Sequence, residues 1–286
     1  METRWVVARR MLGLALAVVL AGCVQIPERP GVHLSSVGQV ESDCHVAGPG
    51  GIDEAARGLS REHIAVLSWN IYKQGGEEWQ RDFRRLSRQR DLLLLQEALL
   101  DAELEGELEE ADYHWAMSNA FYRGGSASGV LTASSQEALA HCSQYVSEPI
   151  IRIPKSLLVS RYPIAGTSQN LLVANVHGIN FTTGVGSYRE QFAALAEVLE
   201  GHHGPVVLAG DFNSWSQSRL DVLNGLAERF GLQRVGYSAY NRKRVFRHSI
   251  DHIYYRGLHV VRSVSPSVTS SDHNPLLVTF RLETEQ

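Results

Sequence analysis

The sequence predicts an α/β fold in which two mixed β-sheets pack face to face with helices outside them. Three observations carry this. Between residues 63 and 280, short apolar runs of strand character outnumber amphipathic helical segments. Several successive strands are joined by connections too short to hold a crossover helix, which argues against a doubly wound parallel sheet. The 286 residues are 44% hydrophobic and 20% charged, enough for one sizeable core.

The elements follow in order. Residues 64–69 read as a buried strand, and 77–89 as a helix with Trp79, Phe83 and Leu86 on one face. A strand over 92–96 leads into an acid-rich helix over 98–110. Strands over 113–117 and 128–133 flank a Gly/Ser loop at 123–126, and strands over 151–159 and 171–177 follow. A helix over 187–201, a strand over 206–209 and a helix over 220–230 come next. Strands over 250–255, 260–264 and 276–280 complete the sheets.

The N-terminus reads as a targeting segment. Arg4, Arg9 and Arg10 precede a twelve-residue apolar run over 11–22, too short to span a bilayer. The run ends in Leu20-Ala21-Gly22-Cys23, the pattern of a bacterial lipobox. Residues 1–22 are therefore expected to be a lipoprotein signal peptide and Cys23 the lipidation site; an uncleaved apolar helix is the alternative. With Val24 and Gln25 next, no Asp signals inner-membrane retention, so the expected location is the outer membrane, periplasmic side. Acyl chains would anchor the protein without a spanning helix. Residues 23–62, with Gly48-Pro49-Gly50-Gly51 inside them, read as a tether, and 63–286 as the catalytic body, expected to be monomeric. Cys44 and Cys142 either form a bridge in an oxidising periplasm or remain free thiols. The net charge is −4; residues 1–22 hold three Arg and one Glu, leaving −6 on the rest. An acidic chain is a poor non-specific clamp on duplex nucleic acid, where affinity rests on counterion release.

Polar residues at the ends of apolar runs carry the chemistry. Asn70 ends one strand and Glu97 follows Leu92-Leu93-Leu94-Leu95-Gln96. Asp211 and Asn213 flank Phe212, so in extended chain they face the same way; capping of the following helix is the structural alternative. Asp251 reads as the end of its own short apolar run, Asp272 and His273 stand together, and His177 closes the run over 171–176. Cutting a phosphate ester requires charge neutralisation, an activated water and a proton for the leaving oxygen. Oxygen donors suit Mg²⁺ or Mn²⁺, whereas zinc would call for clustered Cys or His. His273, held by Asp251, suits proton transfer, and His177 is expected to contact the phosphate from the opposite side. Arg242, Arg244 and Arg247 precede Asp251 as a basic loop that would grip a substrate backbone, or else form an ordinary solvated loop. Tyr122, Phe181 and Trp215 offer rings for base stacking, or else belong to the core. No membrane-docking hairpin is evident.

This ordered set resembles the endonuclease/exonuclease/phosphatase superfamily of DNase I-like phosphodiesterases over about residues 64–280. Trp69-Asn70-Ile71-Tyr72-Lys73-Gln74 and the stretches over 205–215 and 271–278 are similar to its YafD-like bacterial branch. The resemblance implies a four-layer αββα sandwich with the site at one end of the sheets. It implies Asn70, Glu97 and Asp272 as metal ligands, and Asp211 and Asn213 as the pair that orients nucleophile and phosphate. It also implies Asp251 as the residue positioning His273, and His177 as the mid-chain histidine. Tyr72 stands where some members carry an acid, so a second ion is not expected from that side. The expected function is a divalent-metal-dependent phosphodiesterase acting on nucleic acid. The alternatives are a phospholipid, sphingolipid or inositol-phosphate phosphoesterase, and a non-catalytic envelope lipoprotein.

Overall fold

Alternation along four hydrophobic strands sorts the molecule into layers. In Ile64–Asn70 and Leu92–Leu100, the side chains Ile64, Val66, Leu92 and Leu94 enter one core, while Leu67, Trp69, Leu93 and Leu95 enter another. In Asn170–His177 and Val206–Asp211, Leu171, Val173, Val207 and Ala209 join that first core. Leu172, Val176, Val206 and Leu208 face a third. A strand sends successive side chains to opposite faces, so two sheets meet over the shared core and each keeps an apolar outer face. Helices Trp79–Ser87 and Ala102–Glu110 cover one outer face through Trp79, Phe83, Leu86, Leu104 and Leu108. Helices Gly186–Glu200 and Gln217–Phe230 cover the other through Phe192, Leu195, Leu223 and Phe230. The result is the expected αββα sandwich.

This computed structural model describes residues 24–41, 44, 58–182, 184–237 and 242–283. The signal peptide expected at 1–22 and the lipidation expected at Cys23 lie outside them. Among the described residues no helix is long and apolar enough to cross a membrane. The first sheet has nine strands, in the order Leu258–Val264, Leu276–Leu282, Ile64–Asn70, Leu92–Leu100, Ser126–Ser134, His114–Arg123, Gly31–Leu34 and Gly38–Glu41, with Val24–Gln25 also paired to His114–Arg123. The second has six: Gln233–Arg234, Asp251–Arg256, Val206–Asp211, Asn170–His177, Pro154–Pro163 and Ala140–Ser147. Each sheet contains a parallel pair that matters for the site. Asn70 lies opposite Gln96 in one, and His177 opposite Asp211 in the other. Asp251–Arg256 runs antiparallel to its neighbour and begins where that neighbour ends, with Asp251 opposite Asp211. All these ends share one end of the sandwich.

Several expectations change. Part of the segment read as a tether is sheet: Val24–Gln25, Gly31–Leu34 and Gly38–Glu41 pair in, because Val32, Leu34 and Val40 bury against Ala116, Val130 and Leu158. Leu59 is buried and bridges to Ile164, so residues 58–62 also belong to the body. Cys44 and Cys142 form a disulfide with a Cα–Cα separation of 4.7 Å. The helix expected from residue 98 starts later. Residues 98–100 stay paired to 127–129, and Asp101 caps the helix by accepting from the Leu104 N–H at 2.9 Å. Strand Ala140–Ser147 has no clear alternation to announce it and forms by pairing with Pro154–Pro163 at the sheet edge.

Candidate active site

Two backbone irregularities build the cleft. The ladder between Leu92–Leu100 and Ser126–Ser134 shifts register between Leu95 and Ala98, and Glu97 sits there with φ 50°. Such a bulge breaks alternation and re-aims a side chain. Gln96 stays buried between the sheets, donating to Asn175 Oδ1 at 2.8 Å, while Glu97 turns to Lys73 and His177. A left-handed non-glycine residue costs roughly 1–3 kcal/mol, so the surrounding fold imposes this geometry. At Gly210, φ is 145° and a Cβ would stand 2.0 Å from the Val176 carbonyl oxygen, so only glycine admits the close approach of the two parallel strands.

Asp211 is the hub. Its Oδ2 accepts from Asn70 Nδ2 at 3.2 Å, and its Oδ1 accepts from the Asn213 N–H at 2.9 Å. His177 Nε2 lies 3.6 Å and His273 Nε2 3.9 Å from Oδ2. Asp211 and Asn213 do meet, though not by extended-chain alternation. Asn213 has φ 47°, and its side chain donates to the Gly178 carbonyl at 3.0 Å. The following helix is capped instead by Ser216, whose side chain accepts from the Arg219 N–H.

His273 Nδ1 lies 2.9 and 3.0 Å from the two Asp251 oxygens, both side chains being buried. Burial disfavours the imidazolium, but the Asp251 and Asp211 carboxylates outweigh it and raise the His273 pKa to about 9. His177 behaves oppositely. Burial, then the Lys155 charge, lowers its pKa to about 3. Lys155 Nζ lies 2.8 Å from His177 Nε2, which fits an ammonium donating to a neutral ring. His177 thus faces the cleft as a neutral ring beside Lys155, whose own pKa burial lowers. Burial also opposes ionisation of Glu97, yet His177, Lys73 and Lys155 bring its pKa down to about 2. With His177 neutral, the ammonium of Lys73, bonded to Glu97 Oε2, is the nearest fixed charge that does so.

The remaining predicted residues lie at the rim. Asp272 has a half-exposed side chain, accepts from Lys243 Nζ at 3.1 Å, and stands 3.9 Å from His273 Nε2. It does not join the buried carboxylates. The buried group whose ligand atoms lie within 4.8 Å of one another is Asp211, Asp251 and His273. Arg242 stacks on Tyr237, and Arg244 and Arg247 are exposed on a short hairpin before Asp251. Phe181 is exposed, whereas Tyr122 contacts His33 and Trp215 covers Arg219.

Lys155 and Arg219 are functional candidates with no sequence signal, and Lys73 is marked only as part of the stretch over 69–74. Lys155 stands at the start of an antiparallel strand, so it reaches the same end as the strand-ending residues without ending an apolar run. Arg219 is fully buried between Tyr188 and Trp215. It donates to the Ile179, Asn180 and Asn213 carbonyls and so holds the two loops that carry Asn213.

The donor set suits a hard divalent cation: buried or half-buried carboxylates from Glu97, Asp211 and Asp251, the amide of Asn70, and no thiol. Positively polarised groups already point at it, the Lys73 ammonium at Glu97 and the Asn70 amide at Asp211.

The residues of this cleft fall within residues 67–273, which match the Endonuclease/Exonuclease/phosphatase family. The chain belongs to that family. Among relatives, a UPF0294 protein of Vibrio campbellii is 41% identical over 222 residues, covering 77% of this chain and 78% of the relative. A UPF0294 protein of Vibrio vulnificus is 37% identical over 288 residues, covering 97% and 99%. Of solved structures, the human Nocturnin catalytic domain with bound sulfate anion superposes with a TM-score of 0.61 at 18% identity, over 78% of this chain and 95% of that one. That likeness bears on the fold. Family membership supports phosphoester hydrolysis as the reaction class.

Proposed function

We propose that this endonuclease/exonuclease/phosphatase family member is a divalent-metal-dependent phosphodiesterase. The observation that carries the reading is the convergence on Asp211 of Asn70, Asn213, His177 and the His273–Asp251 pair, drawn from both sheets. Glu97, with Asn70 and Asp211, would hold Mg²⁺ or Mn²⁺, which when bound neutralises phosphoryl charge and acidifies water.

The protein's own groups divide the rest of the work. Asp211, fixed by two N–H donors, orients the attacking water and accepts its proton. Asn213 supports the phosphoryl oxygens from a loop clamped by Arg219. Asp251 occupies His273 Nδ1, which leaves a charged Nε2–H to donate to phosphate or to the departing oxygen. Lys155 brings positive charge from the opposite wall, beside His177.

Arg242, Arg244 and Arg247 support nucleic acid as the first substrate to assay. A lipid head group is the second reading, favoured by the exposed apolar side chains around the cleft. The test compares the wild type with Glu97→Ala and Asp211→Ala on bis(p-nitrophenyl) phosphate, plasmid DNA and phospholipid vesicles, with Mg²⁺ or Mn²⁺ and with chelator. Losses of about 10²-fold or more are expected in both variants, with folding retained. Undiminished hydrolysis by the variants, or hydrolysis indifferent to chelator, would refute the proposal. Lipidation at Cys23 and an envelope location belong to the same reading, and the mass of the N-terminal peptide from membrane-extracted protein checks them.

A further inference from the structure

Five exposed apolar side chains gather near the cleft, while others, such as Val37 in a turn at the far end, lie elsewhere. Tyr72 lies two residues past Asn70, and Phe181 four past His177. Ile150 and Ile151 lie between Glu148, whose carboxylate accepts from the Asn180 and Phe181 N–H groups, and Lys155. Phe246, 77% exposed, tips the two-stranded hairpin Arg244–Val245/His248–Ser249 and meets Trp215 edge-on. By strand direction all five surround the cleft at one end of the sandwich. Basic residues alternate with them: Arg152 follows Ile151, and Arg244 and Arg247 flank Val245 and Phe246. In a chain of net charge −4, the rim segments 150–152 and 244–247 carry basic and apolar residues and no acid.

The path of the N-terminus is a separate observation. Val24 pairs with Arg123, at the tip of the hairpin joining His114–Arg123 to Ser126–Ser134. That tip is at the cleft end, since Ala127 pairs with Leu100, three residues past Glu97. His114–Arg123 is three strands from Ile64–Asn70 in the sheet, or roughly 15 Å at about 4.8 Å per spacing. Val24 thus stands at the cleft end, and Cys23 is the residue before it in the sequence.

We propose that the cleft-bearing end of the sandwich docks on an anionic lipid bilayer. Phe246, Phe181, Ile150 and Ile151 enter the head-group region, and Arg152, Arg244 and Arg247 meet lipid phosphates. An amphipathic, cation-rich surface next to a membrane anchor has this interfacial behaviour. The orientation stands apart from the phosphodiesterase reading. Only its consequence rests on that reading: phosphoesters carried in the head-group layer come within reach of the cleft.

The experiment uses the full chain reconstituted into phosphatidylglycerol-containing vesicles. An environment-sensitive dye is placed on Phe246→Cys, Ile151→Cys or Val37→Cys, the last in a turn at the far end of the sheet. Acyl-brominated lipid should quench the dye at 246 and at 151 and leave the dye at 37 unchanged. Equal, water-like emission at all three positions overturns the docking, including the case in which the anchored protein cuts plasmid from solution. Failure of the full chain to float with vesicles also overturns it. Hydrolysis of bis(p-nitrophenyl) phosphate by a Phe246→Ser/Ile151→Ser variant, expected to be unchanged, separates loss of docking from loss of chemistry.

Discussion

His273 keeps its proton because the Asp251 and Asp211 carboxylates facing its ring outweigh the cost of burying the charge. Its folded pKa, about 9, lies above the ordinary 6.5. The metal-free protein therefore has this stabilisation in full below about pH 6.5. It loses that stabilisation as pH rises through 9, by about 1.4 kcal/mol for each pH unit between the two values. Asp251→Asn removes the largest stabilising charge. In chelator, its melting temperature should decline less than the wild type's between pH 6.5 and 9, and the His273 ring should titrate lower by NMR. Arg219 gives a second expectation. Replacing it with Met leaves the carbonyls of Ile179, Asn180 and Asn213 without their donor, at about 1–3 kcal/mol each where no water enters. Denaturant unfolding should show a loss of several kcal/mol. Hydrolysis should fall through kcat, because Asn213 shifts while Asn70 and Glu97 stay. Both histidines' surroundings were only half legible: Asp251 and His273 mark themselves by sequence pattern, whereas Lys155 beside His177 does not.

At the scale of the element, the site depends on strand ends being brought together and then distorted. Parallel pairing sets Asn70 beside Gln96 and His177 beside Asp211, which an apolar run with a polar tip foreshadows. The bulge at Glu97 and the left-handed turn at Asn213 have no such signal, since neither position carries glycine. Gly210 is the exception, a visible residue with a strict reason. Gly210→Ala puts a Cβ into the Val176 carbonyl, and a destabilisation of about 3 kcal/mol or more is expected, read as a lower urea midpoint at unchanged slope. The strands carrying His177 and Asp211 should separate, so activity should fall with stability. Lys155 shows why a search for strand ends was incomplete: an antiparallel strand delivers its first residues, not its last, to the same place.

For the molecule as a whole, the disulfide between Cys44 and Cys142 spans 98 residues and fastens the N-terminal segment to the second sheet. Closing so long a loop contributes roughly 2–4 kcal/mol through the unfolded state. Cys142→Ser, or reduction, should lower the melting temperature by several degrees while leaving the proposed hydrolysis of a small phosphodiester intact below that temperature. Apolar periodicity and polar strand tips were enough, without coordinates, to set the layers of the sandwich and most of the residues that converge, because both are properties of local chain direction. Tertiary structure alone decided that Cys44 meets Cys142, that residues 24–41 join a sheet, that Asp272 stays at the rim, and that Lys73, Lys155 and Arg219 belong to the cleft. Those outcomes depend on which strands run antiparallel and where a ladder slips, and pairing between distant segments is not written in the pattern of any one of them.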